Sequence, residues 1–328
     1  MNIIVADIGG TNSRLAWIER PATGQALIRH QQSHVNALFA DFETLLATFI
    51  AECGEISAIS LLCLALPAPV KGGSVKLTNI DWTLRRKHLG EQFNIMEVLF
   101  INDFQAAALG TTVIDPSKLI TLNDAPVEPL GPRAVIGAGT GLGVAYMHWL
   151  QDSFRSFATE GGHVDFAPGD DIQEELHDYL EKKYDRVSYE RILSGPGLID
   201  LYGFCAEGED IDVTADWVNK QAMEGSNLAA VTAMRLYATI FGAFVGNIVL
   251  MFRPTGGIYL VGGVTAKTAY WLQSEFFLDA FLDKGRMSSL AVQTPLYLVT
   301  DEDTGLKGII EFALNQGLQE NRQSAYRY

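Results

Sequence analysis

Short apolar, β-branched runs separated by glycine-rich turns fill the first third of the chain, and they predict strands over residues 3–7, 14–18 and 26–31. A helix-spaced segment follows at 42–52, and the apolar run at 59–66 reads as a buried strand. Further strands are expected near 74–78 and at 98–101, with helices near 85–93 and at 104–109. Strands mixed with helices in this order give an α/β fold with a mixed sheet, and the opening antiparallel hairpins separate it from a strand–helix–strand start.

Beyond this point the proline- and glycine-rich passage 123–132 marks a connection, and polar, acidic helices between Asp170 and Gly225, residues 172–184 among them, read as an insertion on the surface. Residues 236–252 carry no charge and include Gly242 and Gly246. The segment is slightly shorter than the roughly 18–20 residues of a membrane span and contains Asn247, so it reads as a buried central helix whose glycines let another backbone approach closely. A buried strand at 258–261 ends on Gly262-Gly263, and the chain closes with a helix at 268–277, a strand at 295–299, a turn at 301–305 and an amphipathic helix over 306–319.

With 328 residues, 48% of them hydrophobic and 19% charged, the chain is long enough for two lobes. The expected division is a small α/β domain from 1–113 plus 304–328 and a large α/β domain from 114–303. The 24 basic residues are outnumbered by 39 acidic ones, giving a net charge of -15, which disfavours nucleic acid and anionic membranes as partners. Cys53, Cys63 and Cys205 form no C-x-x-C pair and match no zinc pattern, and no export signal precedes the first strand; a reduced, cytoplasmic protein is expected.

Two glycine turns carry the chemistry. Asp7-Ile8-Gly9-Gly10-Thr11-Asn12-Ser13-Arg14 and Ala138-Gly139-Thr140-Gly141-Leu142-Gly143 each lie between two apolar runs, as the tight turn of a hairpin whose backbone N–H groups and threonine hydroxyl suit phosphate oxygens. Placing Gly10 on Gly139 suggests a duplicated domain and sets Asp7 against Ile136, so only the first copy has an acid that could serve a Mg²⁺ carried by nucleotide phosphates.

The remaining polar constellations each admit two readings. Gly262-Gly263 is either a structural turn or a place where the backbone meets a flat ring or an α-phosphate. Asn102-Asp103 is either a helix N-cap or, at Asp103, the acceptor of a substrate hydroxyl proton. Glu160-Gly161-Gly162-His163-Val164-Asp165 gathers donors and acceptors suited to a polyol, while its spacing fits no common zinc motif. Glu190, in Glu190-Arg-Ile-Leu-Ser-Gly-Pro-Gly197, reads as the end of an acidic helix entering a turn, and matters only if that turn folds it toward His163. Thr78-Asn79-Ile80-Asp81-Trp82 is either a polar strand end with an aromatic plug or part of a sugar-binding rim.

In this order, together with Gly137 before the second turn, these motifs cover nearly the whole chain and resemble the bacterial glucokinase family, within the larger group of actin-like, hexokinase-like and heat-shock-chaperone ATPases. The resemblance implies a two-lobed actin-like ATPase (ribonuclease H-like) fold, with mixed β-sheets flanked by helices and ATP and glucose bound in the cleft between the lobes. It implies transfer of the γ-phosphate of ATP to the 6-hydroxyl of D-glucose, giving glucose 6-phosphate and ADP. By the same likeness Thr78, Asn79, Asn102, Asp103, Glu160, His163 and Glu190 would bind the sugar, with Asp103 as general base. Asp7 would position Mg²⁺; Gly9, Gly10, Thr11 and Asn12 with Gly137, Gly139, Thr140 and Gly141 would cradle phosphates; Gly262 and Gly263 would lie near the adenosine.

A homodimer is the expected assembly. The cysteine cluster that binds zinc in the related repressor-and-sugar-kinase family has no counterpart after His163, so no structural zinc is expected. Other hexoses (fructose, mannose or an N-acetylhexosamine), donors other than ATP, and a non-catalytic sugar sensor remain the alternatives.

Overall fold

The computed structural model describes residues 1–21, 23–77, 80–207 and 212–325, with side chains described as far as residue 315. The chain divides into two compact units, one formed by Met1–Ile114 with the C-terminal segment from Glu302, the other by Asp115–Asp301.

In the first unit, β1 (Asn2–Ile8), β2 (Asn12–Glu19) and β3 (Leu27–Val35) form an antiparallel meander, and β4 (Ile59–Leu66) and β7 (Glu97–Asn102) extend it on the β1 side as parallel strands. A separate two-stranded ribbon joins β5 (Ser74–Lys76) to β6 (Thr83–Arg85). Because strand side chains alternate, β1 sends Ile4, Ala6 and Ile8 to one face and Ile3 and Val5 to the other, and both faces are buried. The first face packs against the helices Phe42–Glu52 and Arg86–Phe93. The second packs against the helix Asp103–Gly110 and the terminal helix Thr304–Ala325.

The second unit repeats the plan. β9 (Arg133–Ala138), β10 (Leu142–Leu150) and β11 (Ser153–Thr159) form the meander, β12 (Ile258–Val261) and β13 (Leu296–Val299) follow in parallel, and β8 (Leu119–Asn123) adds an antiparallel edge. The α/β character with mixed sheets is as the sequence pattern indicates.

The ladders revise the alignment of the two turns. Leu15 opposes Ala6 and Val144 opposes Ile136, so with those partners superposed the structural counterpart of Asp7 is Gly137, not Ile136. Four residues separate the last paired positions of the first hairpin, Ile8 and Ser13, and three separate Ala138 and Leu142 in the second, which moves the match by one position. The second copy remains without an acid at this place.

The long apolar helix spans Leu228–Phe252, longer than the 236–252 read from composition. By length and composition it could cross a membrane, but Tyr237, Phe241 and Phe244 are fully buried in the core of the second unit. A β-carbon at Gly242 would overlap the Phe277 carbonyl oxygen, so the glycines do permit the close approach of a neighbouring helix, Glu275–Leu282.

Several expectations need correction. The acidic helices are not a surface insertion: Leu176, Leu180, Leu198, Leu201 and Val218 form apolar stripes that join the same core. The single helix expected at 268–277 is two, Ala269–Leu272 and Glu275–Leu282. The turn expected at 301–305 already contains the start of the terminal helix at Thr304.

Candidate active site

In the first unit, Asp7 stands near the end of β1 opposite Arg14 of β2. Burial pushes its carboxyl up to about 6, Arg14 pulls the other way, and Asp303 adds to the rise. Asp303 is itself 3.5 Å from Arg14 Nε. The terminal helix begins against the Asp7 carboxylate, leaving no room for a side chain: a β-carbon at Gly305 would lie 2.5 Å from Asp7 Oδ2.

The turn after Asp7 is closed by a hydrogen bond from Gly9 N to Asn12 O (3.0 Å). Asn36 braces it, donating from Nδ2 to Gly9 O (2.9 Å) and from its backbone N to Thr11 O (2.9 Å), while Ser13 Oγ donates to Asn36 Oδ1 (2.7 Å). Gly10, Thr11 and Asn12 are exposed at the tip.

Asn102 ends β7 and caps the next helix, its Oδ1 accepting from Phe104 N (3.0 Å) and Gln105 N (3.4 Å), with Gln105 Oε1 reaching back to Asn102 N (3.2 Å). The cap reading is therefore correct for Asn102, and it fixes Asp103 as the first helical residue. Burial raises the Asp103 carboxyl to about 7, with the charge of Asp7 adding to the rise; hydrogen bonds from Phe104 N and the Asn102 side chain oppose it.

The second unit assembles Glu160, His163 and Glu190. Asp165 and Ser188 form an antiparallel bridge, Phe166 N donates to Val187 O (3.0 Å) and Tyr189 N to Val164 O (3.1 Å), so the chain around residue 189 runs back along the glycine–histidine segment. Tyr189 anchors it, buried against Phe244 and Phe166. His163 Nδ1 lies 3.6 Å from Glu190 Oε1 and Nε2 lies 3.8 Å from Glu160 Oε2. Glu190 sits in a short 3-10 turn, Tyr189–Arg191, separate from the acidic helix that ends at Tyr184. Gly195-Pro196-Gly197 opens a helix rather than a loop, because Ser194 caps it and proline suits the first turn.

Glu190 also reaches the second glycine turn. Its Oε2 accepts from Leu142 N (2.9 Å), the residue directly after Gly139-Thr140-Gly141. Within the turn Gly139 N donates to Gly141 O (2.9 Å), and Gly195 N donates to Gly139 O (2.8 Å). Ala138 N donates to the buried Thr265 Oγ1 (3.1 Å), tying the turn to the short helix Gly263–Lys267 that follows β12. Gly137 pairs in register with Val261 of that strand, which brings Gly262-Gly263 beside the turn.

Gly262 has φ +101°, and a β-carbon there would lie 2.6 Å from Ala138 O. Gly262→Ala is expected to cost about 1–3 kcal/mol of stability. Thermal unfolding of the variant beside the wild type checks it.

Thr78 and Asn79 lie outside the described residues. Nearby Trp82 is an aromatic plug, buried against Phe42. Sequence reasoning missed Asn36 and Thr265, single polar residues with no surrounding motif to flag them.

A family model described as Glucokinase matches residues 4–316. A glucokinase of Synechocystis sp. is 33% identical over 343 aligned positions, covering 94% of this chain and 96% of that one. A glucokinase of Chromohalobacter salexigens is 34% identical, with 95% and 98% covered. The crystal structure of a glucokinase from an Antarctic psychrotroph superposes with a TM-score of 0.83 at 28% identity, covering 96% of this chain and 99% of that chain. With an actin-like ATPase fold and the family's motifs along its length, the chain belongs to the glucokinase family.

Proposed function

We propose that this protein transfers the γ-phosphoryl group of ATP to the 6-hydroxyl of glucose, giving glucose 6-phosphate and ADP. The observation that carries the reading is Asp103: a carboxylate fixed at a helix start, with burial and a second carboxylate raising its proton affinity to about 7. A general base works best when its pKa lies near the working pH. Asp103 accepts the proton of the 6-hydroxyl as that oxygen attacks the γ-phosphorus, and the phosphorus–oxygen bond to the ADP leaving group breaks.

Asn102, Glu160, His163 and Glu190 hold the other sugar hydroxyls, each of which needs a donor or acceptor once removed from water. The turns Gly9 to Asn12 and Gly139 to Gly141, with Gly137 before the second, cradle the phosphates through the backbone N–H groups of residues such as Gly10, Thr11, Thr140 and Gly141, and the turn at Gly262-Gly263 lies by the adenosine. The first unit suits a Mg²⁺ ion: Asp7 offers a hard oxygen donor, and a divalent cation there would relieve the repulsion that the Asp7 charge exerts on Asp103. Asp7 would hold the ion, which would neutralise phosphate charge.

Titration with glucose in the absence of nucleotide, followed by a turnover assay across glucose, fructose, mannose and N-acetylglucosamine, tests the proposal. Saturable glucose binding and the highest kcat/KM for glucose are expected. A higher kcat/KM for another hexose would reassign the substrate, and absence of glucose binding would defeat the reading.

A further inference from the structure

Glu190 is shared between two groups of residues to which the proposed function gives different substrates. One carboxylate oxygen faces His163, and the other holds Leu142 N at the exit of the glycine turn. Glu160, in contrast, meets His163 from the other side with a mostly exposed side chain. The fit around the shared carboxylate is close. A β-carbon at Gly141 would lie 2.5 Å from Glu190 Oε2, and one at Gly162 would overlap the Leu142 carbonyl oxygen.

We propose that Glu190 is a positioning residue for the nucleotide as well as a sugar contact, coupling occupancy of the sugar cluster to the geometry of the Gly139–Gly141 turn. The inference rests on the glucose–ATP reading above. A sugar hydroxyl bonded to Glu190 immobilises the carboxylate that anchors Leu142 N, so the ordering cost of the turn is partly met before nucleotide arrives. By linkage, nucleotide that orders the turn fixes the carboxylate for sugar.

The test is isothermal titration of Mg²⁺-ADP without sugar, and of glucose without nucleotide, on the wild type and four variants whose unfolding midpoints are measured alongside. Glu190→Ala removes the acceptor of Leu142 N and is expected to weaken ADP binding about 5- to 20-fold, within the usual range of coupling between sites. Glu190→Gln keeps a neutral acceptor and should recover ADP affinity to within about 3-fold of wild type. Glu160→Ala should weaken glucose binding yet leave ADP affinity within about 2-fold, because Glu160 has no bond to the turn.

Gly141→Ala works from the turn: it displaces the Glu190 carboxylate without removing it, leaves Glu160 and His163 unchanged, and should weaken glucose binding about 3- to 10-fold. The coupling is overturned if Glu190→Ala leaves ADP affinity unchanged, if Glu160→Ala shifts it equally, or if Gly141→Ala leaves glucose binding unchanged. Failure of the wild type to bind glucose would overturn the sugar reading instead, and the sugar-free ADP titrations separate that outcome from failure of the coupling.

Discussion

Replacing Asp103 with asparagine is expected to lower kcat by about 10²- to 10⁴-fold while glucose affinity stays within a few-fold of wild type. Asparagine keeps an Oδ1 able to accept from Phe104 N, as Asp103 does at 2.9 Å, so the helix start survives and only the proton acceptor is lost. Near-normal turnover in this variant would remove Asp103 from the base role.

The same substitution should stabilise the ligand-free protein at high pH. Burial, with the charge of Asp7, raises the Asp103 carboxyl to about 7 in the folded chain from the ordinary 3.8 of the solvated, unfolded chain, so the folded state binds the proton more tightly. Its stabilising contribution is fully present below about pH 4 and is lost as the pH rises through about 7. Wild type therefore carries a buried charge at pH 8 that Asp103→Asn does not. The variant should gain roughly 1–3 kcal/mol there, with the gain vanishing toward pH 4. Urea unfolding at pH 8, 6 and 4 checks the trend, and a gain that grew on acidification would contradict it.

The second large effect is structural. Gly308 of the terminal helix crosses the helix Asp103–Gly110 so closely that a β-carbon would overlap the Ala106 carbonyl oxygen and lie 2.6 Å from Gly110 N. Backbone on both sides cannot yield as a flexible side chain would. Gly308→Ala is expected to cost about 3 kcal/mol or more and to lower Tm by on the order of 5–10 °C. Because this crossing sets the position of both Asp103 and the helix start beside Asp7, kcat should fall with it. Unchanged Tm and kcat would show that the crossing tolerates separation.

What the sequence displayed and what it hid follow from range. β1 and β4 are apolar on both faces, so their pattern is legible without knowing their neighbours. Asp7, Asn102 and Asp103 stand at strand ends where a polar residue breaks an apolar run, and they were legible for the same reason.

The approach of Glu190 to His163 depends on the antiparallel bridge between Asp165 and Ser188, and no local spacing announces a pairing across that distance. β11 escaped notice because Ser153–Thr159 mixes polar and aromatic residues on a half-exposed edge, with no clean alternation to read. The one-residue offset between Asp7 and its counterpart was hidden because glycine turns of three and four residues look alike until the ladders around them are seen.

The most direct test of the central claim is ³¹P NMR of wild-type protein with Mg²⁺-ATP and glucose, followed to completion. ADP and glucose 6-phosphate are expected in equal amounts, with phosphate attached at carbon 6 and little inorganic phosphate. ADP with inorganic phosphate and unmodified glucose, or phosphate on a different hydroxyl, would contradict it.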